Sequence, residues 1–125
     1  MHIISGGYFD YKQYHVNELA SDITSYMKEL DSPIENNDDG EYNYHPASQF
    51  TPEQLKSVLR ISNYVRNQLM VCGVIVQRLD WLASCDDGFE SFEERLGEDL
   101  EKVTLEIVEL EKQITTNISD DIAEV

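Results

Sequence analysis

Three segments of the chain carry apolar residues at helical spacing, and none shows the alternation that is typical of a strand. In the first segment, steps of 3, 4, 4 and 3 residues predict one apolar face of a helix over residues 10–30. This face consists of Val16, Leu19, Ile23, Met27 and Leu30. Asp10 and Gln13 predict a capping box at the start of the helix. Pro33 predicts its end, because the residue before a proline avoids helical geometry.

A second and longer helix is predicted to begin at Thr51, which is followed by Pro52 at the first helical position and by Gln54 three residues after the cap. Its apolar face continues to about Ser84, which gives roughly 34 residues and a length of ~50 Å. The residues of this face are Leu55, Val58, Leu59, Ser62, Val65, Leu69, Cys72, Val76 and Leu79.

The middle of this second helix is apolar on all sides between Leu69 and Val76, so it requires cover from more than one neighbour. Gly73 in this stretch indicates either the close approach of another helix or a weak point in the helix. Cys72 is expected to be inert in these apolar surroundings. Trp81 is expected in the core. Three charged residues are expected to be ordinary flanking charges: Arg66, Arg78 and Asp80.

A third helix is predicted after the turn at Asp86-Asp87-Gly88, with a capping box formed by Ser91 and Glu94. Its apolar residues recur at steps of 4, 4, 3, 4, 3 and 4, which is the spacing of a coiled-coil seam. The seam consists of Phe92, Leu96, Leu100, Val103, Ile107, Leu110 and Ile114. Because the connection is short, the second and third helices are expected to be antiparallel neighbours.

These patterns predict an all-α protein with a single helical domain over residues 1–125: a short N-terminal helix and a long, coiled-coil-like antiparallel hairpin. Residues 31–50 have the composition of a long surface loop, and residues 119–125 that of a frayed tail. We expect a homodimer that associates through the apolar middle of the second helix. A closed three-helix monomer is the alternative.

The composition adds a strong imbalance of charge. The chain has 25 acidic and 9 basic residues, which gives a net charge of −16. This excess excludes unaided binding to nucleic acid. No apolar run approaches the ~20 residues of a membrane helix, and no secretory signal pattern is visible. We therefore expect a cytoplasmic protein without membrane contact. The two cysteines, 13 residues apart, match neither a zinc spacing nor a disulfide framework.

Candidate chemistry for an enzyme is missing from the sequence. The two acidic loops that contain a glycine do not fit the calcium-binding frame of an EF-hand, and the three histidines lie in separate segments. No phosphate-binding glycine loop and no zinc-protease motif occurs. We therefore expect a protein that is not an enzyme and that needs neither a cofactor nor a metal. A metal-dependent enzyme or switch would instead show a higher melting temperature with a divalent ion.

The acidic residues are concentrated in one part of the chain. Residues 86–125 contain 14 acids and 3 bases, whereas residues 51–80 contain 2 acids and 4 bases. One interpretation is a solvated helix face that confers solubility. The other is a negatively charged rod that imitates a phosphate backbone and binds the basic groove of a protein. The residues predicted to contact such a partner are Asp86, Asp87, Glu90, Glu93, Glu94, Glu98, Asp99 and Glu101.

Secondary partner-binding residues are predicted among the N-terminal aromatics and in the long loop. Exposed tyrosines suit protein interfaces because they bury a large area with few rotatable bonds, although aromatic residues more often cover a helix pair. Acidic loop residues would extend the negative field of the third helix. These secondary residues are Tyr8, Tyr11, Asp38, Asp39 and Glu41.

Two blocks of the sequence resemble a set of small acidic proteins that bacteriophages and prophages encode. The blocks are GGYFDYKQYH at Gly6 to His15 and QRLDWLASCDDGFESFEERLGEDL at Gln77 to Leu100. The resemblance implies a bacterial host cytoplasm and favours an inhibitor of a host defence or nucleic-acid-handling protein; it assigns no role to any residue. The alternative function is a structural adaptor that assembles through apolar and Tyr-rich helical surfaces.

Overall fold

The computed structural model describes residues 7–34, 45–116 and 118. It contains the helices α1 (Gln13–Asp31), α2 (Pro52–Ala83) and α3 (Phe89–Lys112), with a short 3₁₀ helix at Pro46–Gln49. These residues include no strand. The prediction of an all-α protein with a long helical hairpin is confirmed. Several predicted features fall outside the described residues: the tail at 119–125, half of the loop at 31–50 (residues 35–44), and Asp38, Asp39 and Glu41.

Both α1 and α3 pack on α2, which is the central helix. Residues early in α1 lie beside the end of α2, as Gln13 does beside Asp80, so these two helices are antiparallel. Residues early in α3 likewise lie beside the end of α2, as Asp99 does beside Arg78. The expected antiparallel arrangement of the hairpin is therefore present. The hydrophobic core lies where α2 begins, and its buried members are Met27, Leu30, Ala47, Leu59, Ile114 and Ile118.

Only one of the three predicted capping boxes is present. Thr51 accepts a hydrogen bond from the amide of Gln54, and the Gln54 side chain accepts one from the amide of Thr51. The box at Asp10 is wrong, because Asp10 lies at φ +58°, a left-handed conformation, and α1 begins only at Gln13. The box at Ser91 is also wrong, because α3 already begins at Phe89.

The predicted apolar faces are only partly the packing faces. In α1, Leu19 is half exposed, while Gln13 and Ala20 are buried. In α2, Val65 and Leu79 have exposed fractions of 40% and 38%. Cys72, which was expected to be inert in apolar surroundings, is also exposed. The face of α2 that is turned towards α1 and α3 combines apolar residues with buried polar ones, and we call it the inner face: Leu59, Asn63, Arg66, Met70, Gly73, Gln77 and Asp80.

Of the two interpretations of Gly73, a close contact with another helix and a weak point in α2, the structure has the close contact. Gly73 is buried, and a Cβ atom there would overlap the side-chain amide of Asn17 on α1. The missing side chain makes room for the Asn17 side chain of α1 against α2 at this level.

The end of α2 is a Schellman motif that is built on a cysteine. The amide of Asp86 donates to the carbonyl of Trp81, and the amide of Cys85 donates to the carbonyl of Leu82. Cys85 has φ +65°, a conformation that favours glycine at this position of the motif. Gly88, which the sequence offers as the turn residue, instead precedes the first residue of α3.

We expect Cys85→Gly to raise the free energy of unfolding by about 1 kcal/mol, because glycine adopts the left-handed conformation without the clash of a Cβ atom. Urea denaturation measures this change. Cys85→Ala is the matched control, since alanine also lacks the thiol but keeps the Cβ atom, and it is expected to leave the stability nearly unchanged. Equal gains from both variants would contradict the explanation.

Candidate partner-binding surface

The outer face of α3 carries a row of glutamates, which we call the acidic stripe: Glu90, Glu94, Glu98 and Glu101. They recur at helical steps of 4, 4 and 3 residues and therefore lie on one face. All four are exposed, as is Glu93 beside them. Within the described part of the chain, none of these five carboxylates forms an ion pair.

The apolar seam of α3 holds this face outward. Each seam residue within the helix is buried or half buried, and Val103 is 4% exposed. Because the seam packs against α2, the glutamates on the opposite side of α3 face solvent. The seam predicted from the sequence is therefore confirmed, although α3 ends at Lys112 and Ile114 packs into the core beyond it.

Asp87 and Asp99 are placed differently from the glutamates. The guanidinium of Arg78 lies 3.5 Å from a carboxylate oxygen of Asp87 and also contacts Asp99. Arg95 contacts the other oxygen of Asp87 at 3.1 Å, and Arg78 stacks on the ring of Trp81. Asp87 ties the α2–α3 connection to α2, Asp99 ties α3 to α2, and both point towards cations of their own chain. The expectation that Arg78 is an ordinary flanking charge is wrong.

The remaining predicted residue on this side, Asp86, is exposed but interacts within its own chain. The carboxylates that are open to a partner are therefore the acidic stripe and Glu93. They span 12 residues, or ~18 Å of helix, which is about one charge per 3.6 Å. A single DNA strand carries one charge per ~3.4 Å of helix axis, so the linear charge densities are similar.

The outer face of α3 becomes apolar beyond Glu101. Leu105 and Val108 continue the same face and are 64% and 41% exposed. Leu105 also lines a shallow depression of about 470 Å³ with Lys102 and Glu106. The sequence analysis did not identify this pair. Two apolar residues that lie three positions apart and outside the seam indicate a second, smaller apolar patch on the helix.

Asp80 positions the N-terminal aromatic segment. Its carboxylate is fully buried and accepts hydrogen bonds from the amides of Gly7 and Phe9 and from the side chain of Gln13. Tyr8 and Tyr11, the predicted secondary contacts, are exposed on this segment. Since Asp80 and Arg78 are two residues apart, the aromatic segment and the first turns of α3 lie at the same end of the molecule. The expectation that Asp80 is an ordinary flanking charge is therefore wrong.

Burial opposes the ionisation of Asp80. The hydrogen bonds from the amides of Phe9 and Gly7, from the Gln13 side chain and from the amide of Tyr8 outweigh this cost and hold its pKa below the usual range. The carboxylate is therefore ionised at neutral pH, and among the described residues its charge is satisfied by dipoles rather than by a cation.

A buried polar network connects all three helices at the level of Arg66, which is 1% exposed. Its guanidinium donates to the side-chain oxygens of Asn63, Asn67 and Thr24. Both asparagine side chains in turn donate to one carboxylate oxygen of Glu111 on α3. Burial lowers the pKa of Arg66, and the negative charge of Glu111 partly opposes this shift. Arg66 thus lies at the centre of a network that links the three helices, and it is not a surface charge.

The described residues contain no group of three potential metal ligands. None of their helices combines the length and apolarity that a membrane crossing requires. A groove of about 420 Å³ lies between α1 and α3, with Met70 and Val74 of α2 at its wall.

Comparisons with protein-family models, with curated proteins and with solved structures found no match for this chain.

Proposed function

We propose that the protein is a non-enzymatic binding module whose acidic stripe engages a basic surface of a host protein that handles nucleic acid or serves in defence. The main support for this proposal is that the carboxylates on this side of the molecule are of two kinds, which differ in whether they form ion pairs. The glutamates of the stripe are exposed and without ion pairs within the described residues, whereas Asp87 and Asp99 are paired with arginines.

The mechanism is occupation of a groove that binds a phosphate backbone. Arginine and lysine side chains in such a groove attract a row of carboxylates at long range, and this attraction raises the association rate. A helix held along its seam presents these charges without the entropy cost of ordering a flexible segment. Binding at the groove would exclude nucleic acid and thereby inhibit the partner.

The first experiment is capture of partners from a bacterial lysate on the immobilised protein, with elution by duplex DNA. We expect a nucleic-acid-binding protein to be released by DNA and by salt, because both compete for the same cations. Retention that neither DNA nor salt weakens would contradict the mimicry of a phosphate backbone.

A structural adaptor is the second candidate, and the exposed apolar residues support it. Leu105 and Val108 lie on the outer face of α3, and Tyr8 is 66% exposed on the N-terminal segment. Assembly through such contacts holds or strengthens at high ionic strength, whereas charge-based binding weakens. Ionic strength therefore distinguishes the two functions.

A further inference from the structure

The central helix α2 buries several polar side chains and carries a row of mostly apolar residues on the opposite side. Its inner face contains Asn63, Arg66 and Asp80, each at most 1% exposed. On the opposite side, residues recur at steps of 4, 3, 4, 3 and 4, which is a heptad spacing. We call this row the outer face of α2: Ile61, Val65, Gln68, Cys72, Ile75 and Leu79.

Five of the six residues of the outer face are exposed, and Ile75 is half buried. Ile61 is 59% exposed, Val65 40% and Leu79 38%. The stretch from Ile61 to Leu79 covers 19 residues, or ~28 Å of helix. An exposed apolar row of this length on a monomer marks an interaction surface.

This face also lacks charge in a chain of which 27% of the residues are charged. Between residues 61 and 79 the only charged side chains are Arg66, which is buried on the inner face, and Arg78, which is held by Asp99. Two molecules with a net charge of −16 repel each other over most of their surfaces. The outer face of α2 is where a second copy meets the least repulsion.

We propose that a second copy of this chain docks on the outer face of α2, with the two α2 helices antiparallel. The pairing is centred near residue 70, so that Ile61 lies opposite Leu79, Val65 opposite Ile75, and Gln68 opposite Cys72. A contact of this length buries roughly 1,000 Å² in total, near the lower end of specific interfaces. This inference does not rest on the proposed function, because it uses a different helix.

Charge determines the antiparallel orientation. The acidic stripe and Glu93 belong to the first half of α3, which packs beside the end of α2. A parallel dimer would place two such acidic ends together, whereas an antiparallel dimer separates them. It also brings the basic start of α2, with Lys56 and Arg60, towards the acidic end of the other copy; both residues interact within their own chain as well.

The antiparallel dimer carries its two acidic stripes at opposite ends. Under the proposed function, each stripe would bind its own partner molecule and a dimer would bind two; the dimer itself does not depend on this binding. The tyrosine segment, which Asp80 holds at the end of α2, lies near the same ends.

Sedimentation equilibrium tests the dimer. We expect a mass of twice the 14.4 kDa of one chain at a concentration of ~100 μM. The double variant Ile61→Glu, Val65→Glu should sediment at half the mass of the native protein with an unchanged helical circular-dichroism signal, because both side chains are exposed. The double variant Leu105→Glu, Val108→Glu on α3 is the matched control, because it adds the same two charges at exposed positions, and it should remain dimeric. A monomeric native chain would overturn the proposal.

Disulfide trapping tests the orientation in a Cys85→Ser background, where Cys72 is the sole thiol. We expect no cross-linked dimer from Cys72 alone, since the two copies of this residue are offset by four positions in the antiparallel pairing. Adding Gln68→Cys should give a cross-linked dimer on oxidation, because residue 68 then faces Cys72 of the other copy. Efficient cross-linking through Cys72 alone would indicate parallel helices and overturn the proposed arrangement.

Discussion

Arg66→Ala is expected to lower the free energy of unfolding by about 4 kcal/mol, the largest single effect that we anticipate. The substitution removes a long side chain that is 1% exposed and leaves a cavity between the helices. It also leaves the side-chain oxygen of Asn63 without its donor in a fully buried position. For a chain of this size, the loss corresponds to a decrease of about 15 °C in the melting temperature.

Lys102→Ala is the control for Arg66→Ala. Lys102 is exposed on α3, so the removal of its charge should change the stability by no more than about 0.5 kcal/mol. Denaturation in urea, monitored by circular dichroism, measures both variants. Similar small changes for the two would show that Arg66 is not part of a buried network.

Asp80→Asn is expected to lower the free energy of unfolding by about 3 kcal/mol and to release the N-terminal aromatic segment. Asparagine has one oxygen in place of two and adds a donor that faces the amides of Gly7 and Phe9. Hydrogen exchange at these amides reports the release directly. Asp22→Asn, at an exposed position of α1, removes the same charge and should leave their exchange unchanged.

The contribution of Asp80 also has a defined dependence on pH. Since hydrogen bonds hold its pKa below the usual range, the contribution is complete above the unfolded value of ~3.9 and is lost as the pH falls through the lower folded value. The difference in stability between the native chain and Asp80→Asn should therefore be constant from pH 7 to pH 5 and shrink below about pH 4. A difference that shrinks already between pH 7 and pH 5 would disagree with this assignment.

Periodicity predicted the three helices and the seam of α3, because these depend on residues that are close in the sequence. It did not identify the packing face of α2. This helix has apolar residues on both sides and buries polar ones on its inner face, and an apolar row alone does not indicate whether it faces the core or another molecule. The choice depends on partners that are distant in sequence, such as Gly7 for Asp80 and Glu111 for the amides beside Arg66.

The sequence pattern also did not indicate which charged residues are buried or paired. Single arginines and aspartates are usually exposed, so Arg66, Arg78 and Asp80 were expected at the surface. In the candidate site, helical spacing placed the glutamates of the acidic stripe on one face, as the structure has them. Spacing did not separate them from Asp87 and Asp99, because the pairing of these two with Arg78 follows from the packing of α3 on α2.

The most direct measurement of the role of the acidic stripe is the affinity of the captured partner for two variants of equal charge. One variant replaces Glu90, Glu94, Glu98 and Glu101 by glutamine. The matched control neutralises four exposed acids outside α3, with the substitutions Glu18→Gln, Asp22→Asn, Glu29→Gln and Glu53→Gln. Titration calorimetry at low and high salt gives the affinity of each.

If the stripe binds the partner, its neutralisation should weaken binding about 100-fold at low salt and remove most of the salt dependence, because four contacts between charges are lost. The control should weaken binding less than about 3-fold, through the change in net charge alone. Equal losses in the two variants, or none in either, would contradict a binding role for the outer face of α3.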